Sequence, residues 1–172
     1  MTEKKPVEVR NLDDRYGSAV LEWSRAEEAL ALVPSPAYTQ FLGTSRPDGT
    51  PHAAGIGAQW LAGEIYFTSG PAARKARDLA ANPKCTISAR LPGIDLVLEG
   101  TACRVTDRRT LERVAAGYQA GGWPARVEGE AFTAPFNAPS AGPPPWYVYR
   151  FDFHTVYGVA TEEPFGATRW RF

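Results

Sequence analysis

Tight-turn signals cut the first half of the sequence into pieces of strand length, and this spacing constrains the fold more than any other feature. Asp48-Gly49 lies at the centre of the hairpin sequence Arg46–Thr50, Ala62-Gly63 follows soon after it, and Leu91-Pro-Gly93 ends a later run. Runs this short are joined as antiparallel neighbours, because a parallel crossover needs about a dozen residues or more. The sequence therefore predicts a mainly β protein and not a doubly wound parallel sheet.

The predicted strands run from Tyr38 to Ser45, Pro51 to Leu61, Glu64 to Thr68, Lys84 to Arg90, Ile94 to Val105 and Trp146 to Val159. A helix is predicted from Ser18 to about Leu32, ended by Pro34 and Pro36. Another helix follows a cap at Thr106 or Asp107. Its buried face, at helical spacing, consists of Leu111, Val114, Ala115 and Tyr118. Together these elements predict an α+β fold with a six-stranded antiparallel β-barrel and peripheral helices.

The chain divides into an N-terminal arm and helix at 1–36, a barrel domain at 37–160 and a C-terminal tail at 161–172. Residues 1–17 are polar and are predicted to be loosely held. Residues 123–145 contain six prolines but also several aromatic residues, which predicts an irregular, ordered excursion from the barrel and not a linker between domains.

The charge balance excludes several function classes. Nineteen basic and nineteen acidic residues cancel, so no overall field attracts nucleic acid. No apolar run approaches the roughly 18 residues of a membrane span, and the N-terminus lacks the apolar core of a signal peptide, which predicts a cytoplasmic protein. With two histidines, and with Cys85 and Cys103 expected to be buried free thiols, no metal site is predicted.

Residues 67–83 combine a strand end, a Gly-Pro turn and a short helix that begins with cations. Pro71 suits the first helical position, and Arg74 and Lys75 follow within the first turn. Positive charge is unfavourable there, because a helix N-terminus already carries about half a positive charge. Together with the hydroxyls of Thr68 and Ser69, this arrangement is suited to bind a phosphate group. The alternative is a solvated basic surface on a connecting helix.

The second predicted strand is unusually rich in glycine and alanine between His52 and Gln59. Such residues are poor strand formers, and in a strand they often mark close approach by a ligand or another backbone. A flat aromatic ring lying against this strand explains them. Tight packing of the sheet against a helix is the alternative.

Three segments together resemble the pyridoxamine 5'-phosphate oxidase-like family of split β-barrel flavoproteins. Tyr66-Phe-Thr-Ser69 followed by Ala73–Pro83 is similar to the flavin-phosphate segment of that family, Arg46–His52 to its first hairpin, and Trp146–Arg150 to its late strand. The likeness runs in order over roughly residues 38–160. It implies a split β-barrel that forms a homodimer with a cofactor site shared between the subunits.

The resemblance also implies roles for individual residues. Lys75 would bind the phosphate of FMN with Arg74 beside it, while Thr68 and Ser69 would contact the phosphate and the ribityl chain. The residues implied to line the ring are Ala54, Gly55, Ile56, Gly57, Ala58 and Gln59. Trp146 and Arg169 are further cofactor-binding candidates, contributed by the partner subunit. For these two, the alternatives are a core position and a seal at the barrel mouth.

The sequence departs from the oxidases themselves at two places. Ala54 and Gln59 stand where the oxidases carry Arg and Lys, and Gly166–Phe172 lacks their Arg-x-His motif, so oxidation of vitamin B6 is not expected. The segments Gly121–Pro124 and Gly142–Trp146 resemble the bacterial flavin and deazaflavin oxidoreductases. This implies FMN as the cofactor or, as the alternative, the 8-hydroxy-5-deazaflavin coenzyme.

The predicted function is an oxidoreductase that transfers hydride or electrons to or from a small organic substrate. No catalytic residue is identified, because the cofactor carries the reactive centre in such enzymes. The alternatives are a non-catalytic flavin- or tetrapyrrole-binding protein of the same fold, and a structural dimer with an empty cleft.

Overall fold

The structure, a computed structural model, describes residues 4–33, 35, 37–138 and 141–172, which contain eleven strands and three α-helices. In chain order these are β1 (Glu8–Asn11), α1 (Trp23–Leu30), β2 (Gln40–Ser45), β3 (Pro51–Ile56), β4 (Gln59–Leu61), β5 (Glu64–Ser69), α2 (Arg74–Ala81), β6 (Lys84–Leu91), β7 (Ile94–Val105), α3 (Arg108–Ala120), β8 (Arg126–Glu128), β9 (Ala131–Thr133), β10 (Tyr147–Ala160) and β11 (Ala167–Arg171).

Nine of the strands form one antiparallel sheet. Its main path runs β1-β11-β10-β7-β6-β2-β3, and a branch adds β5 to β10 and β4 to β5. The long strands β6 and β7 alternate buried and more exposed residues along most of their length, as a sheet with one core face requires. The prediction of a mainly β fold built on antiparallel pairing is confirmed.

The longest strand, β10, organises the sheet because two strands share one of its edges. Tyr147–Phe151 pair with β5, whereas Thr155–Val159 pair with β11, and β7 runs along the other edge throughout. The β7–β10 register shifts between Phe153 and Thr155, which marks a β-bulge. Gly100 lies beneath this bulge, where a Cβ atom would come within 2.7 Å of the Phe153 Cα atom.

Two apolar clusters cover the two sides of this framework. The larger one lies inside the curved sheet and is closed by α1, with Leu42, Leu98, Phe153 and Trp170 among its least exposed side chains. The smaller cluster packs α3 and the β8–β9 hairpin against the other side of β5 and the first part of β10. The β5 strand therefore contributes to both clusters, which fixes its position relative to the sheet and to α3.

The helices α2 and α3 both begin with two cations, but only α3 has an acidic side chain at its N-cap. The Asp107 side chain caps α3 by accepting a hydrogen bond from the Thr110 amide at 2.9 Å, and these hydrogen bonds hold the pKa of the Asp107 carboxyl below its usual value. The α2 helix has no side-chain cap and no acidic residue in its first turn, which starts with Arg74 and Lys75. Of these two helices, only α3 therefore compensates its helix dipole.

Several predicted boundaries differ from the structure. The sequence predicts six strands, and the structure adds β1, β4, β8, β9 and β11. Within the arm predicted at 1–17 to be loosely held, Glu8–Asn11 form β1, which pairs with β11. That pairing also makes a strand of the predicted C-terminal tail. The first helix begins at Trp23 and not at Ser18, and the residues predicted to end it, Pro34 and Pro36, lie outside the described residues.

Two further differences concern the site. The strand predicted from Pro51 to Leu61 is interrupted at Gly57 and Ala58, which separate β3 from β4. Pro71 precedes α2 and does not start it, so both cations lie closer to the helix N-terminus than the sequence predicts. The excursion at 123–145 contains the β8–β9 hairpin.

The prediction for the cysteines is only half right. Both thiols are free, and Cys85 is buried as predicted, with its pKa raised by burial to about 12. Cys103 is exposed, because it lies on the outer face of β7. Within the described residues, no helix has the length and apolar content needed to cross a bilayer, and no cluster of three or more His, Cys, Asp or Glu is suited to hold a metal ion.

Replacing Gly100 by alanine is expected to destabilise the protein, by about 1–3 kcal/mol or more, because the new methyl group meets main-chain atoms of the bulge that cannot move aside. Chemical denaturation measures the loss. Gly57→Ala is the matched control, since no heavy atom lies within 4 Å of the place that its new methyl group would take and its φ angle is not positive. Equal stability of the two variants would contradict the proposed close approach at the bulge.

Candidate functional site

A cavity of about 660 Å³ opens where β3 and β5 separate. This volume lies within the range of about 300–1,000 Å³ that is typical of small-molecule sites. Its floor is formed by the end of β3 and the start of β2, one side by the end of β5 and by α2, and the other side by α3 and the proline-rich segment. The cavity therefore collects residues from five separate parts of the chain.

The free edge of β3 forms one wall. The β2–β3 hairpin closes with the Arg46 amide donating to the Thr50 carbonyl at 2.9 Å. Hydrogen-bonded pairs alternate along an antiparallel ladder, so in the observed register the main-chain groups of Ala53 and Gly55 point away from β2. Within the described residues, β3 pairs with β2 along one edge and with no strand along the other, because the strand paired with β5 at this point of the sheet is β4. The wall thus presents unpaired N–H and C=O groups beside side chains of minimal size.

The end of β5 and the start of α2 form the polar end of the cavity. Thr68, Ser69 and Gly70 line it from the strand, and Lys75 lines it from the second residue of the helix. Lys75 has neither a hydrogen bond nor an ion pair among the described residues. Burial lowers the pKa of its ammonium group, because part of its hydration is lost and no carboxylate compensates.

No carboxylate belongs to the described residues that line the cavity, and Lys75 is their single permanent charge. The remaining polar groups are hydroxyls, amides and main-chain groups. An unpaired, partly desolvated cation beside two hydroxyls and a helix N-terminus is a complementary environment for an anion. The donors at this end therefore fit the phosphate group of a flavin or deazaflavin.

The opposite wall is aromatic. Tyr118 of α3 and Trp123 lie with ring centroids 5.2 Å apart and planes at 89°, and Trp123 lies 5.6 Å from Trp146. The Trp123 indole N–H donates to the Phe136 carbonyl at 2.7 Å, which ties this wall to the proline-rich segment. Asn137, Ala138 and Ala141 of that segment also line the cavity.

Most of the residues predicted to hold a cofactor meet in this cavity. Those that line it are Ala54, Gly55, Ile56, Gly57, Thr68, Ser69, Lys75 and Trp146. Trp146 is only 2% exposed, next to Trp123, and its indole N–H has no acceptor among the described residues. The predicted role of each residue in binding stays a prediction.

Four predicted residues lie elsewhere. Ala58 is buried behind the wall, and Gln59 turns its amide toward α3, where a Cβ atom on Gly117 would come within 2.7 Å of the Gln59 Cδ atom. Arg74 is exposed and is not among the residues that line the cavity. Arg169 pairs with Glu8 of β1 at the far edge of the sheet, away from this cavity.

Sequence reasoning missed the aromatic wall and the start of β2. The lining residues that it did not select are Ser35, Tyr38, Thr39, Gln40, Gly70, Tyr118, Gly121, Trp123, Asn137, Ala138 and Ala141. The sequence pattern places Tyr118 on a buried helical face, and only the packing of α3 shows that this residue lines the cavity and bonds to the Gly57 carbonyl. Gly57 and Ala58 are poor strand formers, and this was the sequence signal that the strand is interrupted here. An interrupted strand needs hydrogen-bond partners from other elements.

Solved structures confirm the fold. An FMN-binding, pyridoxamine 5'-phosphate oxidase-related protein from Nostoc punctiforme has a TM-score of 0.57 at 20% identity, over 88% of this chain and 91% of its own. An F420 reductase has a TM-score of 0.50 at 21% identity, over 75% and 94%. A heme-binding protein from Mycobacterium smegmatis has a TM-score of 0.58 at 19% identity, over 86% and 59%.

Sequence comparison gives the family directly. No curated protein matches the chain. The profile of the family described as pyridoxamine 5'-phosphate oxidase, however, matches residues 26–160, which include β2 to β10 and every lining residue from Ser35 to Trp146. The chain therefore belongs to the pyridoxamine 5'-phosphate oxidase family.

Proposed function

We propose that this protein is an oxidoreductase that binds a flavin or a deazaflavin in the cavity and exchanges hydride or electrons with a small organic substrate. One observation carries the proposal: the only permanent charge among the described lining residues is Lys75, which has no partner and lies beside Thr68 and Ser69. An apo cavity without a ligand gains nothing from a desolvated cation, whereas a phosphate group compensates it.

The ring of the cofactor lies, in this proposal, against the glycine- and alanine-rich wall of Ala54–Gly57. Ala54, Gly55 and Gly57 carry no large side chain, and Ile56 packs in part against the larger apolar cluster, which leaves space for a flat ring at main-chain distance. The unpaired N–H and C=O groups of Gly55 offer a donor and an acceptor to the ring edge, which carries both kinds of group. Phosphate and ring are then fixed from two different strands.

In this proposal the lining residues bind and orient the cofactor, and the described ones include no acid–base pair beside the ring. Apart from Lys75, the titratable side chains among the described lining residues are Tyr38 and Tyr118. Burial raises the pKa of Tyr118, so its hydroxyl stays protonated. The bound ring supplies the electron-transfer chemistry, and the protein supplies its position and surroundings.

Oxidation of pyridoxamine 5'-phosphate itself is not part of the proposal. Ala54 lines the cavity at the place where the oxidases carry a cation, and Gln59 turns away from it. A second phosphate, that of the substrate, would therefore find no basic side chain there. A substrate without a phosphate group suits this wall better.

FMN is the first cofactor candidate, and the 8-hydroxy-5-deazaflavin coenzyme is the alternative. Lys75 is the single cation among the described lining residues, and one cation balances the single negative charge of a phosphodiester, as in the deazaflavin coenzyme. The phosphomonoester of FMN carries nearly two negative charges at neutral pH, so the charge balance alone favours the alternative. The names of the structural relatives include an FMN-binding protein and an F420 reductase, which support both candidates.

The test is a titration of the purified protein with FMN, riboflavin and the deazaflavin coenzyme, followed by absorbance and by thermal unfolding. We expect FMN or the deazaflavin coenzyme to bind and stabilise the protein, and riboflavin, which lacks the phosphate, to bind at least about tenfold more weakly. A bound chromophore that neither reductant nor electron acceptor cycles would favour the non-catalytic flavin- or tetrapyrrole-binding alternative. No binding of any of them would refute the proposal.

Replacing Lys75 by methionine is expected to weaken FMN binding at least about tenfold and, without ligand, to raise the melting temperature. Burial lowers the Lys75 pKa, so folding is penalised where the lysine is charged, and the penalty fades as pH rises toward its ordinary value of 10.5. The stabilising effect of the substitution should therefore be largest at neutral pH and shrink in alkali.

Arg74→Met is the matched control, because Arg74 is the neighbouring cation of the same helix turn but is exposed and outside the cavity lining. It should weaken FMN binding much less than Lys75→Met does. Equal losses of FMN affinity in the two variants would indicate that both residues act only as part of a general basic surface, which would contradict the assignment of Lys75 to the phosphate.

We also propose that the protein forms a homodimer through the outer face of the sheet, next to the cavity. In the observed register, Phe41, Ser88, Val97 and Tyr157 form one cross-strand row, in which Phe41 and Val97 are 50% and 41% exposed. Gly55 of the cavity wall lies opposite Phe41, so a second copy on this face would border the cavity.

Phe41→Glu is expected to convert the dimer into a monomer, because the new charge would be desolvated at the interface. Sedimentation velocity measures the change over a range of concentrations. Phe165→Glu is the control, since Phe165 is 56% exposed but lies in the turn between β10 and β11. A wild-type protein that sediments as a monomer at all concentrations would end the dimer proposal.

A further inference from the structure

The peptide group between Gly57 and Ala58 is held from both sides by side chains of two other elements. The Tyr118 hydroxyl of α3 donates to the Gly57 carbonyl at 2.7 Å, and the Ala58 amide donates to Gln40 Oε1 of β2 at 3.2 Å. Both bonds therefore act on a single peptide plane. This peptide lies in the interruption between β3 and β4, where the strand ladder supplies no bonds.

Both side chains are themselves held in place. Gln40 is only 4% exposed, and its amide nitrogen also donates to the Tyr38 carbonyl, which fixes the amide so that Oε1 faces Ala58. Tyr118 is only 5% exposed, with Trp123 and Phe132 packed edge-on against its ring. Neither group is therefore free to follow the peptide if it turns.

We infer that Gln40 and Tyr118 are positioning residues that fix the Gly57–Ala58 peptide and thereby set the environment of the ring bound beside it. The inference rests on the proposed function, because it assigns a role toward the ring of the cofactor. Neither residue is needed for the phosphate end, which lies at Thr68, Ser69 and Lys75.

The direction of the effect follows from the orientation of the carbonyl. Tyr118 draws the Gly57 carbonyl oxygen toward α3, and glycine permits a wider range of backbone angles than any other residue. Without the Tyr118 bond, the peptide is held only through the longer bond from the Ala58 amide to Gln40, at 3.2 Å, and the Gly57 carbonyl is able to tilt its negative end toward the cavity. Negative potential beside the ring disfavours the added electrons, so the reduction potential of the bound ring should fall.

The held peptide also prepares the wall before the ligand arrives. Each of the two bonds restricts the motion of the glycine-rich segment before any ligand binds. Without them, the segment would become ordered only on binding, and this loss of conformational entropy would weaken the affinity for the ring. A single neutral hydrogen bond contributes about 1 kcal/mol, so loss of either one should weaken ring binding about 3- to 10-fold.

The variants are Tyr118→Phe and Gln40→Met, which remove one bond each and keep the side-chain volume. Tyr66→Phe is the matched control, because Tyr66 is a buried tyrosine in the same apolar cluster whose hydroxyl bonds instead to Glu64 and Arg113. Three quantities are compared with the wild type: amide hydrogen exchange of residues 55–61 without added ligand, FMN affinity, and the midpoint potential of bound FMN.

In Tyr118→Phe and Gln40→Met, we expect faster exchange in that segment and about 3- to 10-fold weaker FMN binding, while the affinity for inorganic phosphate is unchanged. In Tyr118→Phe the midpoint potential also falls. Tyr66→Phe should change none of these. Unchanged exchange, or a midpoint potential in Tyr118→Phe equal to that of the control, would overturn the inference, since a merely structural role predicts loss of stability alone.

Failure of the proposed function gives a different pattern. If the wild type binds neither FMN nor the deazaflavin coenzyme, the proposed function and the role toward the ring are both refuted. The exchange measurement needs no ligand, so it still decides in that case whether the two side chains hold the peptide.

Discussion

The sheet depends on one strand serving two neighbours along a single edge. Because β10 gives its first part to β5 and its last part to β11, these two strands cannot lie side by side, and the sheet opens between them. The bulge at Phe153–Thr155 makes the change of neighbour possible, and Gly100 leaves the space that the bulge needs. The other end of β5, at Thr68 and Ser69, lies away from β11 and lines the cavity together with the end of β3.

Local patterns predicted the parts of the fold that local chemistry controls. The turn signals at Asp48-Gly49 and Leu91-Pro-Gly93 located the strands around them to within a residue or two, and one of the two cations of α2, Lys75, lines the cavity. The strands β1 and β11 were missed because they are short and charged, so that only their mutual pairing makes them strands. The aromatic wall was missed for a similar reason, since Tyr118 and Trp123 meet β3 through packing between distant segments.

The cavity shows how a protein sets stability against function. Both helices begin with two cations, but α3 has the Asp107 side chain as an acceptor at its N-cap, whereas α2 has no acidic side chain at its start. The fold tolerates this because Lys75 is only partly desolvated and because α2 is anchored elsewhere, with the buried Asp78 accepting a hydrogen bond from Thr44 of β2 at 2.9 Å. A cation at a cavity wall that has no partner among the described residues, such as Lys75, therefore indicates that an anionic ligand binds there.

The aromatic wall has a consequence for how the molecule can be observed. Of the five tryptophans in the sequence, Trp123 and Trp146 line the cavity, whereas Trp23, Trp60 and Trp170 pack in or against the larger apolar cluster. Filling the cavity changes the surroundings of the first two and leaves the other three as they are. The chain therefore carries its own optical reporter of occupancy, with an internal reference, and needs no attached label.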